Sequence, residues 1–579
     1  MRAPRSPGRA LPGPAAAGLL FALVLLSHLP LLHAGYVQDD HLVVEAPTGG
    51  AAGAPTQILT ASYWEGARGG DRSLYRPVTI ASFALERALA GGARPAVSHA
   101  VNLALHALLC VLLWRLTVAL GVAAVPALLG AAVFAVTPAK SEAVASVVGR
   151  SEILAALFTL AAVRLSLATG PWRGARPTDA AARLASWGAA ACVLLAAGSK
   201  ETGLDAAPIV FLVELLRERP KTAAARIDRA GALAPVVLGI VVFGILRVLS
   251  LQAWAPVQEI PEMDNPLVAQ PAAAREATAL GLASRYARLS VLPYGLSVDY
   301  SGPCIAIERS PLAPRPVAGT LIFLAIAILG AAGFARSRPP LAVGGLLVLV
   351  PYLLIGNLVV PIGAIFAERF LYLPLTGAAV LLSAALARVG RGGPLVSGLA
   401  VAVLAAAMWR RAADWRSDRT IFEAALRSYP EAPRAQYWVG SLEAEDGRLD
   451  RALAHFAAAS RAWPPYAPPH LDRGLALVRT GNLAGAETAF REAARLAPAW
   501  APPRLDLALL LHRRGDLDGA TVAARHAVLL DPGSAKAWAE LGHLFTESGR
   551  RAQASEAYRR AIALGRTDLV PRLNEDILK

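Results

Sequence analysis

Charge is scarce in this chain. Asp, Glu, Lys and Arg make up 17% of its 579 residues, against 55% hydrophobic residues. That shortage excludes an ordinary soluble globular protein, whose charged share is about 25%. Cysteine is scarcer still, with three in all. Cys110 and Cys192 lie in apolar runs and Cys304 in a loop, so their spacing suggests no disulfide framework. A phosphate-cradling glycine loop, a Ser-His-Asp arrangement and a zinc signature are also missing. Gly49-Gly50 and Gly91-Gly92 read as loop punctuation. The net charge of +15 does not imply nucleic acid as a partner. The basic residues cluster in short loops between apolar runs, as they do on the cytoplasmic side of membrane proteins.

What is present is long apolar sequence. Eleven spans are expected near 15–34, 98–119, 122–136, 152–169, 185–198, 204–216, 230–250, 316–334, 339–358, 370–387 and 394–410. The first follows Arg2, Arg5 and Arg9 and resembles a signal peptide, but it is long enough to span uncleaved. With the N-terminus in the cytoplasm, the inside loops carry Arg173, Arg176 and Arg183; Arg217, Arg219, Lys221, Arg226 and Arg229; Arg336 and Arg338; Arg388 and Arg391. That charge bias supports the orientation, although the outer loops also hold Arg68, Arg72, Arg76 and Arg288. The loops 35–97 and 251–315 are then extracytoplasmic, and so is everything after the last span. The expected location is a bacterial inner membrane, with the periplasm outside; in a eukaryote the outside would be the endoplasmic reticulum lumen. Within the first outer loop, Ser73 to Leu89 has helical spacing of Val78, Ser82, Leu85 and Leu89, with Glu86 and Arg87 on the other face. Such a helix suits a membrane surface.

Behind this body, residues 1–415, the sequence repeats every 34 residues. Gly440, Gly474, Ala508 and Gly542 form one ladder; Gly447, Gly481, Gly515 and Gly549 a second; Ala452, Ala486, Ala520 and Ala554 a third. Pro464, Pro498 and Pro532 keep the same step, and Pro430 anticipates it. This is the tetratricopeptide (TPR) signature, a helix–turn–helix unit with small residues where helices cross. Residues 416–579 therefore read as a half unit, 418–432, and units near 433–466, 467–500, 501–534 and 535–568. The fold class is all-α: a polytopic membrane bundle of about 11 spans, then a TPR α-solenoid. Such arrays bind polypeptide, and their repeat-pattern residues stack units rather than touch ligand.

Candidate chemistry sits at the outer ends of the spans. Asp39 and Asp40 open the first outer loop, where a carboxylate could take a proton from a Ser or Thr hydroxyl. Helix capping is the plainer use of the pair. Lys140, Glu142, Arg150 and Glu152 lie in one connection, Lys200 and Glu201 in the next, and Glu368 and Arg369 before the tenth span. Each places a cation beside a carboxylate at the end of an apolar helix. Converging cations suit a lipid-linked phosphate, whereas isolated ones simply anchor helix ends. His99 and His106, seven apart with Asn102 between them, fit interhelical hydrogen bonding better than metal binding, since no third ligand is spaced with them.

The segments VQDDHLV, LYRPVTIASFAL, SHAVNLALHALL, TPAKSEAVASVVGRSEILAALF, SKETG, LSVDYS and AERFLYLP follow one another ahead of the repeats. In that order they resemble the transmembrane-and-TPR-containing (TMTC) family of protein O-mannosyltransferase-like proteins. The resemblance implies a GT-C glycosyltransferase fold. It implies a polyprenyl-phosphate-linked sugar, mannose by family, as donor substrate, polypeptide Ser or Thr as acceptor, and no obligatory metal or other cofactor. It implies a general base at Asp39 or Asp40. It implies donor-phosphate or substrate contacts among Arg76, Glu142, Arg150, Lys200, Glu201, Glu368 and Arg369. TPAKSE departs from the histidine-containing stretch expected there. That departure leaves room for a second reading, a non-enzymatic membrane-anchored TPR scaffold. A transporter is disfavoured by the few charges inside the spans and the lack of an inverted repeat.

Overall fold

The computed structural model describes residues 13–45, 55–60, 62–64, 74–168, 180–215, 223–251, 260–389 and 392–573. Arg2, Arg5, Arg9, Arg68, Arg72, Arg173, Arg176, Arg217, Arg219, Lys221 and Arg391 from the loops above lie outside them. The described residues are helical throughout, with no strand. By packing the chain divides into two units, Met1–Tyr300 with Ile305–Ala424, and Ser301–Cys304 with Ala425–Lys579.

In the first unit, every expected span coincides with a helix, but the helices are unequal. Seven are long and apolar enough to cross a membrane: Gly13–His33, Pro95–Ala119, Ala180–Ser199, Leu233–Leu251, Pro314–Ala335, Glu368–Leu386 and Gly393–Asp414. An eighth candidate is the pair Ala124–Val136 and Pro138–Ala145, bent by 58°. By length and composition among the described residues, seven helices pass as spans, or eight with the bent pair counted as one; the remaining expected spans are shorter or carry charge. Helices Ala206–Leu215 and Pro339–Ile355 have only 10 and 17 residues, and Arg150–Ala168 carries Arg150, Glu152 and Arg164. The outer faces of the long helices are apolar and uncovered: Leu321 and Ile328 on one, Leu395 and Leu399 (79% and 67% exposed) on another. Stripes of that kind belong in lipid, not water. The chain is an integral membrane protein.

Proline sets several boundaries. Pro77, Pro95, Pro314 and Pro339 occupy the first turns of their helices, where the missing N–H costs nothing. Pro138 instead breaks a span. It holds Thr137 extended (ψ 120°), and the chain turns aside into the short helix Ser141–Ala145. Lys140 Nζ donates to Ala135 O at 3.1 Å, covering a carbonyl at the broken end. This break carries Glu142 to Arg369.

Helix Pro77–Ala90 is turned differently from the sequence expectation. Leu85 and Leu89 face outward, as a surface helix needs, but Glu86 is buried against the body rather than on a solvated polar face. Its partner is Arg150, and a carboxylate can be buried only with such compensation.

The second unit holds four helix pairs, beginning at Pro433, Ala467, Pro502 and Ala535. The two glycine ladders have separate causes. Gly447, Gly481, Gly515 and Gly549 turn between helices at φ 78°, 83°, 81° and 70°, a conformation that penalises any Cβ. Gly440, Gly474 and Gly542 are crossing points where a Cβ would lie 2.8, 2.4 and 2.5 Å from the rings of Phe456, Phe490 and Tyr558. The exception in that ladder, Ala508, has Ala524 where the others have a ring, and both are buried in one apolar cluster. Gly474→Ala is therefore expected to overpack the array and lower its stability by about 1–3 kcal/mol. Thermal unfolding checks this, with Ala508→Gly as the milder comparison.

Candidate active site

The loop after the first span begins as the helix turn Leu29–His33 ends. Gln38 reverses the chain at φ 53°, a left-handed conformation uncommon for a residue with a side chain. The reversal sends the two aspartates to different places. Asp40 is fully buried. Its Oδ1 accepts from Val148 N at 2.8 Å and Ser146 Oγ at 3.2 Å, and its Oδ2 accepts from Val37 N at 3.3 Å. Asp40 thus fastens the first loop to the turn before Arg150. Asp39 is only half-buried and lies near enough to a cluster of charges that Tyr63 and Arg369 both feel its field.

Burial pushes the Asp40 carboxyl from 3.8 up to about 6, against its hydrogen bonds from Val148 and Val37. Between those values the folded protein keeps a proton that the unfolded chain releases. Stability from this group is thus full below about pH 4, falls as pH rises to about 6, and is level above. Thermal unfolding in detergent should show that slope in the native protein and less of it in Asp40→Asn.

The cluster around Asp39 is assembled from four connections. Glu142 accepts from Arg369 N at 2.9 Å through Oε2, and from the Arg369 guanidinium through Oε1. Glu152, in the first turn of Arg150–Ala168, accepts from Lys200 Nζ. Arg76 donates to Glu201 Oε2 from Nε at 3.0 Å and from Nη2 at 2.7 Å, and its guanidinium lies 4.7 Å from the centre of the Tyr63 ring. These pairs are coupled: Lys200 feels Arg76 and Arg369 as well as Glu152, and Arg76 feels Glu152. Burial pulls the Lys200 ammonium below its usual range, with Glu152 opposing. Burial also works against Glu201, yet Arg76 holds that carboxyl below its usual value. Lys200 and Glu201 reach the cluster because the SKETG turn folds tightly. A Cβ on Gly203 would stand 1.9 Å from Ala196 O, so only glycine fits there.

The sequence candidates therefore divide. Asp39, Arg76, Glu142, Lys200, Glu201 and Arg369 come together. Arg150 does not join them. It is fully buried, donating from Nε to Asn102 Oδ1 at 2.8 Å and from Nη2 to Glu86 Oε2 at 2.5 Å, over the Phe83 ring. Glu368 turns to a neighbouring connection. It accepts from Ser297 N at 2.6 Å and Tyr300 Oη at 2.7 Å, with Arg411 Nη2 at 3.7 Å. Arg369 is the most open cation of the cluster, its side chain 38% exposed while that of Glu142 is 6% exposed. Glu152 lies within one of the sequence motifs, but the resemblance gives it no role at the site. Tyr63 has no sequence signal at all, being one aromatic in a long loop. His99 bonds Gly35 O at 3.2 Å, and His106 bonds Tyr372 Oη at 2.7 Å, so both histidines link helices to their neighbours. Among the described residues no three His, Cys, Asp or Glu side chains group as metal ligands.

Chemically, the arrangement offers a half-exposed carboxylate within electrostatic reach of a partly exposed guanidinium that is held in place by its own carboxylate. A carboxylate so placed can accept a proton, and a guanidinium can steady an anion.

The tetratricopeptide repeat family TPR_8 matches residues 535–566. A Caenorhabditis elegans protein O-mannosyl-transferase is 25% identical over 462 residues, 77% of this chain and 63% of that protein. The Mus musculus protein O-mannosyl-transferase TMTC3 is 25% identical over 490 residues, 79% of this chain and 52% of that protein. The chain thus spans roughly half to under two thirds of the length of these curated relatives. A solved thermophilic TPR protein from Thermus thermophilus is 25% identical, covering 31% of this chain and 97% of that one, with a TM-score of 0.24. Over more than three quarters of its length, the chain is similar to the TMTC protein O-mannosyl-transferases, the family that its sequence motifs resemble.

Proposed function

We propose that the chain is an integral-membrane glycosyltransferase of GT-C type. It moves a sugar, mannose by analogy with its relatives, from a polyprenyl-phosphate donor to Ser or Thr of polypeptides. The TPR array holds the acceptor. The observation that carries this reading is half-buried Asp39 within the electrostatic reach of partly exposed Arg369, which Glu142 holds in place.

In this mechanism Asp39 takes the proton of the acceptor hydroxyl. The hydroxyl oxygen attacks the anomeric carbon, and the bond from that carbon to the phosphate oxygen breaks. The lipid phosphate leaves with the electron pair, and Arg369 stabilises its charge. One displacement inverts the anomeric centre. Asp40 is unsuited to be the base because its carboxylate is tied to backbone N–H groups and Ser146. Arg76 and Lys200, each paired to a carboxylate, keep the cluster rigid.

The loop after the first span receives the chain leaving the last span. Gly35 N donates to Arg416 O at 3.0 Å, and Gln38 N donates to Asp418 at 2.8 Å. The first span ends on that side and the last span ends there too, which favours an odd number of crossings. That side is extracytoplasmic if the N-terminus is cytoplasmic.

The test is transfer from radiolabelled polyprenyl-phosphate mannose, and separately glucose, to outer-face proteins by purified protein in nanodiscs. Transfer from either donor supports the reading. No transfer from either, with peptide still bound by the repeats, would establish the scaffold alternative instead.

A further inference from the structure

The two aspartates lie on a loop whose backbone is held from outside the loop. Gly35 N is bonded to Arg416 O, and Gln38 N donates to Asp418 Oδ1 at 2.8 Å. On the other side of the aspartates, His41 Nε2 lies 3.0 Å from Asp418 Oδ2. The other ring nitrogen of His41 is 2.6 Å from Glu45 Oε2. One carboxylate therefore grips the loop both before and after Asp39-Asp40. It grips it at Gln38, the residue with the left-handed backbone. Such a conformation is unfavourable for a residue with a side chain and persists only where its surroundings enforce it. Asp418 supplies that enforcement, and it opens the helix Asp418–Ser428 through which the chain runs on toward the repeats.

We propose that Asp418 is a positioning residue for Asp39, so that the base is aimed only while the segment leading to the repeats is seated on the loop. This rests on the proposed reading in which Asp39 is the base. Asp418 touches neither donor nor acceptor; it fixes the backbone on which the base stands. Seating of that segment is thereby coupled to catalysis. A base displaced by about 1 Å loses rate by as much as about 100-fold without losing substrate.

Two measurements on the full chain in nanodiscs test this, with variants Asp418→Ala and Asp418→Asn. Hydrogen exchange of the peptide covering residues 35–45 reads the grip without any donor. Asp418→Ala should exchange about tenfold faster there. Asp418→Asn, whose amide oxygen still accepts from Gln38 N, should stay near the native rate. In the transfer assay Asp418→Ala should lose about tenfold or more in kcat, with KM for donor and acceptor within about twofold, and Asp418→Asn should recover most of it. Unchanged exchange in Asp418→Ala overturns the proposal. So does faster exchange with native kcat, or a loss that appears only in KM. Asp39→Asn run alongside separates the failures. If it abolishes transfer while Asp418→Ala does not, the base stands and the positioning role falls. If the native protein transfers nothing, the enzymatic reading falls, and with it the positioning role, while exchange still reports the grip.

Discussion

Asp39→Asn should lower kcat for sugar transfer by about 10²–10⁴-fold while leaving donor KM nearly unchanged. The amide is the same size and keeps the loop's shape, but it cannot accept a proton at neutral pH. The effect should be specific to this aspartate, because its neighbour is spent on structure. Asp40 is fully buried and takes bonds from Val148 N, Val37 N and Ser146. Asp40→Asn replaces one accepting oxygen with an amide donor that faces those N–H groups. Its loss should appear as lowered stability or as a smaller fall in kcat. Transfer and thermal unfolding measured on the same preparations distinguish the two. Equal losses from both variants, with equal stability, would remove the reason for assigning the base to Asp39.

The repeats were open to sequence reading because a period repeats its own evidence. Four copies of one turn glycine leave little ambiguity about where helices begin and end. The bundle was legible as apolar runs. Crossings were less so, since Pro138 breaks one run and the helices Ala206–Leu215 and Pro339–Ile355 are short of a full span. The site was legible as a set of helix ends but not as a set of pairs. The sequence sets Arg150 near Glu152, Lys200 beside Glu201 and Arg369 beside Glu368. None of these is an ion pair in the fold. Lys200 goes to Glu152, Arg76 to Glu201, Arg369 to Glu142, Arg150 to Glu86 and Arg411 to Glu368. Adjacent residues at a helix start point in different directions, so each charge finds its partner on another connection. Cross-pairing of this kind staples the connections to one another, and no linear pattern encodes it. It is also why Arg150, with the same surroundings in sequence as the others, ended beneath the surface helix with Glu86.

Arg369 carries the second large effect. Arg369→Gln should reduce transfer by about 10²–10³-fold, the scale for removing one donor aimed at charge that develops in a transition state. The pairing with Glu142 complicates the variant. That carboxylate is nearly buried, so removing its partner leaves a buried charge uncompensated and destabilises the site. A loss of activity in Arg369→Gln could therefore come from a collapsed site. Arg369→Lys resolves this, since it keeps a cation against Glu142 and should fold with near-native stability. It should nonetheless recover only part of the transfer rate. A guanidinium is a flat fork that can bind a carboxylate with one edge and present another to a phosphate, whereas an ammonium is a single point charge. Thermal unfolding, kcat and donor KM measured for both variants separate the roles. If Arg369→Lys matches the native enzyme, Arg369 is serving only as the counter-charge of Glu142. If Arg369→Lys is stable but slow, the guanidinium meets the leaving phosphate, and Glu142 is the residue that holds it there.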